Sequence, residues 1–403
     1  MISKRKKYNG YKSFSYLEAG KDYKEFKLAK EVGRVKSSVI PLSKNEEERV
    51  EAIFEKYLSV SMHEHLLVFP DDPNDTMEYL RRSRQAIGYE GVAASGVDVV
   101  FEALNDGVAI AKSPDAWAWE NVVHQIGMFN SDLDHQDFAF LARRVEDLQR
   151  AHDNGQVAMV IHLESAPHMG TEYDKVDVLY GLGVRVMGIV YSEGNEYASG
   201  IANKNDFGLT DRGYDLVERM NKLGMSIDIS HAGEKASLEI IEASKTPVFC
   251  THAGAKALWP SRRMKPDEII KALAEKGGII GVEAAPHTTL TMNNRRHSIE
   301  SIMEHFKYIE KLVGIDHVGF GPDTLFGDHV ALHHAFAKEL SIGTAFRANL
   351  PEFQEVPYVD GLENPSEYPN IVRWLVKHGY SDQEISKVIG QNALRVIKKT
   401  WCK

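Results

Sequence analysis

Short apolar runs alternate with longer amphipathic stretches along most of this chain, and few folds are open to a sequence written that way. Eight of the runs suit strands: SVSMHEHLL from Ser59, GVAASGVDVV from Gly91, QVAMVIHLE from Gln156, VRVMGIVY from Val184, MSIDISH from Met225, TPVFCTH from Thr246, GGIIGVE from Gly277 and HVGFGPD from His317. Several are apolar throughout, as strands covered on both faces should be. Helices fit between them. GLTDRGYDLVERMNKLG offers Thr210 or Asp211 as an N-cap and Gly224 as a stop. KPDEIIKALAEKGG sets Pro266 at a helix start, acids in the first turn and glycines at the end.

Such repeats can close into a barrel or stay open as a doubly wound sheet, and the polar residues separate the two. His63 and His65, Glu164, Tyr191, His231, His252 and Asp323 end six of the eight predicted strands. An open sheet gathers chemistry at one or two switch points, whereas a barrel spreads it over the C-terminal ends of many strands. The predicted fold is therefore α/β, a (β/α)8 TIM barrel. Residues 46–403 form a single catalytic domain that includes a closing pair of helices, YPNIVRWLVKHG and SDQEISKVIGQNALRVIKK. Residues 1–45 are expected as an extension packed on the barrel, and a charged helix, KNEEERVEAIFEKY, begins at its end. The stretch from Thr324 to Asn364 reads as a long irregular loop of the kind that forms lids or binding surfaces.

Composition removes several function classes. A net charge of −10 argues against a nucleic-acid partner, which needs a basic face. Cys250 and Cys402 are too few for a disulfide framework or a cysteine-rich zinc site. The start, MISKRKKYNGYKSF, is basic but no apolar segment follows it, and no stretch is long enough to span a bilayer. The expectation is a cytoplasmic protein with no membrane partner.

The remaining polar residues suggest chemistry. In His63-Glu64-His65 the two imidazoles face one side of a strand and Glu64 the other, giving a pair of nitrogen donors for a zinc-like ion. Glu164 closes an apolar strand, where a carboxylate needs a metal cation or an arginine opposite it. A carboxylate can also bridge two ions. His231 and His252 end consecutive strands and are close enough to share one ion. His162 points the same way as Glu164 but deeper, as an interior or supporting histidine. Asp228 either orients His231 or pairs with a helix. Asp323, after Gly-Pro, is either a turn residue or a carboxylate that handles a proton beside two metals.

Together these segments resemble the membrane (renal) dipeptidase family, the M19 peptidases of the amidohydrolase superfamily. The resemblance runs from about Glu48 to the C-terminus. It is carried by GLTDRGYDLVERMNKLGMSIDISHAGEKASLEIIEASKTPVFCTHAGAKAL, SRRMKPDEIIKALAEKGGIIGV, HVGFGPD, GQVAMVIHLES and the C-terminal block from Gly361. It implies a two-metal hydrolase cutting an amide bond of a small substrate such as a dipeptide, with water between the ions. His63 and His65 would hold one ion, His231 and His252 the other, and Glu164 would bridge them. Asp323 would manage the proton, and Arg263 would grip a substrate carboxylate. The ions implied are two Zn2+, with Mn2+, Fe2+ or Co2+ as other candidates, and a homodimer is expected.

Three positions depart from the family pattern. His65 stands where an aspartate is usual, which leaves the metals more positive and can shift metal preference. Tyr191 replaces a histidine that touches substrate, and its phenol could serve an oxyanion instead. VEAAPHTTL brings Glu283 and His287 to the mouth. These changes keep a second reading open, the same metal site acting on a lactam, lactone or other cyclic amide, or as a deaminase. A third reading is a barrel that has lost catalysis and serves binding. The convergent ligand set speaks against it.

Overall fold

The computed structural model describes residues 5–82, 84–104, 118–166, 169–339 and 350–401. Eight parallel strands form the wall: β1 (Val60–Val68), β2 (Val99–Leu104), β4 (Val157–Leu163), β5 (Val184–Gly188), β6 (Ser226–Asp228), β7 (Phe249–Ala253), β8 (Ile279–Val282) and β9 (Val318–Phe320). They pair in that order. A short strand, β3 (Ala139–Leu141), adds to the side of β4, and β10 (Leu325–Phe326), soon after β9, pairs with β1. The sheet thus curls until its two ends meet through the chain itself, an α/β TIM-barrel fold. Parallel neighbours demand long crossovers, which the helices supply.

The helices stop and start where the chemistry of their ends says they should. Asp211–Leu223 is capped by the Thr210 hydroxyl, which accepts from Gly213 N–H at 3.1 Å, and it ends on Gly224 at φ 76°. Asp267–Glu275 follows Pro266. Lys44–Lys56 opens with a reciprocal Ser43–Glu46 cap. Two expectations are corrected. The run from Gly91 to Val100 is not one strand: Tyr89–Ser95 is a buried helix, Gly96 at φ 72° ends it, and β2 starts only at Val99. A short buried apolar run looks alike in either state, so its period could not decide. Residues from Thr324 onward are also more regular than expected, with β10 followed by a helix over His329–Glu339. Cys402 and residues 340–349 of that stretch lie outside the described residues.

Two cores result. An outer layer lies between strands and helices, and an inner one fills the barrel with Val60, Met62, Val99, Phe101, Ala158, Val160, Val186, Phe249 and Ile279. The last helix, Asn392–Thr400, joins the inner core through Ala393, Leu394, Val396 and Ile397, while Trp401 donates to Ser226 Oγ at the start of β6. That end of the barrel is sealed further by the N-terminal extension. Lys6, buried, places Nζ 2.8 Å from Asp98 Oδ1, and Asp98 also meets His152 Nδ1 at 2.9 Å. Elsewhere the extension ties to the C-terminal half through Arg34–Glu363 and Ser38–Asp360.

The opposite end is left for chemistry, and two register slips aim residues into it. Between Ser61 and Glu64, β1 advances three residues while β2 advances two. Met62 and His63 can therefore both face inward, although strict alternation would turn one of them out. The same slip occurs in β7 between Cys250 and Ala253, an interval that contains His252.

One buried histidine outside the strand-end cluster gives a test of the packing. His305 accepts from Ala255 N–H at Nδ1 (2.9 Å) and donates from Nε2 to the Leu290 carbonyl (2.8 Å), an arrangement that requires the neutral ring. Burial lowers its pKa from 6.5 to about 4, against the opposing pull of the Leu290 carbonyl. A depressed value means that the unfolded chain takes the proton first, so stability is present above 6.5 and drains away as the pH falls toward 4. Urea unfolding across that window should show the native protein losing roughly 2–4 kcal/mol more than His305→Asn. Equal pH slopes would contradict this assignment.

Candidate metal centre

Strand ends bring the predicted residues together. His63, Glu164, His231 and His252 are buried, His65 nearly so, and Asp323 keeps slight exposure. The ligand atoms of His63, His65 and Glu164 lie within 4.8 Å of one another; so do those of Glu164, His231 and His252, and those of His63, His252 and Asp323. Glu164 divides its oxygens: Oε1 is 3.9 Å from His65 Nε2, while Oε2 is 2.9 Å from His231 Nε2 and 3.6 Å from His252 Nε2. Asp323 Oδ1 stands 3.3 Å from His63 Nε2 and 3.1 Å from His65 Nε2.

These separations fit metal ions. His63 and His65 present Nε2 atoms 3.4 Å apart, and His231 and His252 present theirs 3.1 Å apart. Two nitrogens about 2.0–2.1 Å from one tetrahedral ion stand about 3.3 Å from each other. The protonation states agree. Burial drives the His63 pKa down to about 3 and holds His231 and His252 well below 6.5, so the rings are neutral and can donate lone pairs. For Asp323, burial works upward, but its contacts with His63 and His65 outweigh it and hold the carboxyl well below its ordinary range. Facing lone pairs and packed carboxylates in a desolvated recess are costly unless cations lie between them.

A supporting shell orients the rings. His65 Nδ1 lies 3.3 Å from the Ala103 carbonyl, which can only accept, so Nε2 is the atom that could bind a metal. Behind His63 runs a relay: its Nδ1 is 3.2 Å from His162 Nδ1, and His162 Nε2 is 3.4 Å from Asp228 Oδ2. His162, expected as an interior or supporting histidine, lies in contact with His63 and Asp228. Asp228 corrects its own expectation, because it faces His162 rather than His231. It also accepts from Thr251 N–H at 2.8 Å and from the Ser230 hydroxyl at 2.7 Å. Burial pushes its carboxyl up, and these bonds bring it below the usual range.

Sequence reasoning missed the role of Glu64. Turned away from the ligands, it accepts from Thr324 N–H (2.9 Å), Thr324 Oγ1 (2.7 Å) and Ser61 Oγ (2.9 Å). This pins the residue after Asp323. Asp323 itself has φ 58°, a left-handed conformation that costs a non-glycine residue about 1–3 kcal/mol. Its N–H donates to the His63 carbonyl at 3.1 Å. Gly188 was missed as well. A Cβ there would fall 2.1 Å from the Glu164 carbonyl oxygen, so β5 approaches Glu164 only because Gly188 has no side chain. A charged group so placed on a carboxyl-terminal strand edge was legible; its backbone supports were not.

The substrate-side candidates divide. Tyr191 stacks on His231, with ring centroids 4.0 Å apart. Arg263 is buried: Nη1 donates to the Ser230 carbonyl (3.1 Å), Nη2 to the His252 carbonyl (2.7 Å), and Glu283 Oε2 lies 2.5 Å from Nη2. His287, at φ 63°, reaches Glu355 at 3.1 Å, and His334 meets the same oxygen at 2.9 Å. The segment beyond β10 thus reaches the rim beside β8.

Known proteins agree with this architecture. A family model described as membrane dipeptidase (peptidase family M19) matches residues 47–335 and 342–401. The dipeptidase tcpJ of Claviceps purpurea is 27% identical over 268 residues, 66% of this chain and 56% of that protein, so the chain spans little more than half of that relative. A protein from the pqqA 5′ region of Klebsiella pneumoniae is 28% identical over 63% of this chain and 86% of its own length. Among solved structures, an amidohydrolase from Pseudomonas aeruginosa superposes with a TM-score of 0.70 at 22% identity, covering 87% of this chain and 99% of that one. A metallo peptidase from Rhodobacter sphaeroides, liganded with a phosphinate mimic of the dipeptide L-Ala-D-Ala, gives 0.66 at 19% identity, covering 86% and 99%. At these identities the structures speak to the fold alone.

Two substitutions test the site as a metal centre. His231→Ala should retain one ion fewer per chain than the native protein by elemental analysis; unchanged content contradicts the assignment. His162→Gln leaves every proposed ligand in place but removes the brace behind His63, and should weaken metal affinity about 10–100-fold in a chelator competition.

Proposed function

The chain belongs to the membrane dipeptidase family, peptidase family M19, and from that membership we propose that it is a binuclear metallohydrolase that cuts an amide bond of a small substrate. The observation that carries this reading is the divided carboxylate of Glu164, one oxygen toward His65 and the other toward His231 and His252. His63 with His65 would hold one divalent ion, His231 with His252 the other, and Glu164 would join them. Nitrogen-rich, tetrahedrally spaced donors favour zinc. Two such ions, when bound, supply an activated water as nucleophile and a Lewis acid for the scissile carbonyl.

The protein's own groups do the rest. Asp323 is the proton carrier: ionised at rest, it can take a proton from the attacking water and return it to the leaving nitrogen. Its strained backbone, braced by Glu64 through Thr324, keeps the carboxylate beside His63 and His65. Tyr191, packed on His231, offers a phenol to the carbonyl oxygen as negative charge develops there. Burial of the ligands excludes bulk water and strengthens each of these interactions. Residues 46–403 are proposed as one catalytic unit, with the preceding extension packed on it. Among the described residues no helix is long and apolar enough to cross a membrane.

Asp323→Asn should lower kcat on a responsive amide substrate by about 10²–10⁴, with metal content retained and KM changed only a few-fold. Unchanged turnover in a fully metallated variant would remove Asp323 from the mechanism.

A further inference from the structure

The hydrolase reading leaves open which small amide is cut, and one buried ion pair bears on that. Arg263 and Lys265 are buried cations close behind the ligand strands, and both are already engaged. Lys265 Nζ contacts the Ala232 carbonyl at 2.9 Å and Ser237 Oγ at 3.3 Å. Arg263 braces the carbonyls of Ser230 and His252, and its charge is met by Glu283, 2.5 Å away and with no exposure. Glu283 immediately follows β8, and its N–H donates to Ala253 at the end of β7. It therefore stands in the ring of strand ends beside His252.

We propose that Glu283 is a specificity-determining residue: it fills, from within the protein, the place beside Arg263 that a substrate carboxylate would need, so this enzyme acts on small amides whose end on the β7–β8 side is uncharged. This rests on the hydrolase reading above. A free carboxylate entering there finds a guanidinium already neutralised by the Glu283 carboxylate. Like charges at a desolvated contact reject a ligand strongly, whereas an amide, ester or closed ring at that end meets no such opposition. The His287–Glu355–His334 contact adds another carboxylate at the rim beside β8. Glu283 acts by holding Arg263 rather than on the reacting atoms, so the effect belongs in binding.

The test uses the full-length metal-loaded protein and two ligands, a dipeptide and the same dipeptide with its carboxyl group amidated. Turnover is measured with the native protein and Glu283→Gln. Binding is measured by calorimetry in the Asp323→Asn background, with and without Glu283→Gln. The native protein should favour the amidated ligand at least about tenfold, through KM rather than kcat, and Glu283→Gln should erase or reverse that preference. Adding Arg263→Gln to Glu283→Gln should abolish any gain for the free carboxylate. A native preference for the free acid, or a Glu283→Gln variant that loses both ligands alike, overturns the proposal. The native comparison does not depend on the variant folding. Selective binding without turnover of either ligand would overturn the hydrolase reading while leaving the specificity proposal standing.

Discussion

The site turns on an electrostatic conflict that the protein alone does not resolve. Four histidines, three of them kept neutral by burial, and two carboxylates share one desolvated end of the barrel, with ring nitrogens facing each other at 3.1 and 3.4 Å. Unfilled, such an arrangement costs free energy through repulsion and lost hydration. In the proposed function divalent cations would convert the same arrangement into coordination, and Glu164 would serve both positions, one oxygen toward His65 and the other toward His231 and His252. The other features of the site serve to hold this arrangement in place.

Those supports are built from backbone as much as from side chains. A slipped register in β1 lets Met62 fill the inner core while His63, next to it, faces the ligands. Gly188 allows β5 to come up against Glu164. Glu64 points away from the centre yet anchors the chain at Thr324, next to the strained Asp323. His162 and Asp228 form a line of contacts behind His63. At the other end of the barrel, the last helix and Lys6 close the interior. Stability and chemistry thus occupy opposite ends, as the parallel barrel requires.

Much of this was legible in the residues themselves. The β/α alternation predicted the barrel, and the ligand candidates stood out because polar groups ended strands that were otherwise apolar. What escaped was anything that depends on register or on a partner distant in sequence. Strict alternation cannot place Met62 and His63 on one side, because a bulge leaves no compositional mark. The helix at Tyr89–Ser95 hid in a run whose residues suit a buried strand equally well. Asp228 was expected near His231, three residues on, but its geometry joins it to His162 on another strand. Arg263 is recognisable by its place in SRRM, yet only the fold reveals that Glu283 engages it.

A crystal structure of protein purified without chelator, with diffraction recorded at the absorption edge of its metal, tests the account most directly. Two anomalous peaks are expected, one against His63 and His65 and one against His231 and His252, with a Glu164 oxygen on each. A single peak remote from Glu164, or full amide-hydrolysing activity in protein shown to carry no metal, would contradict it.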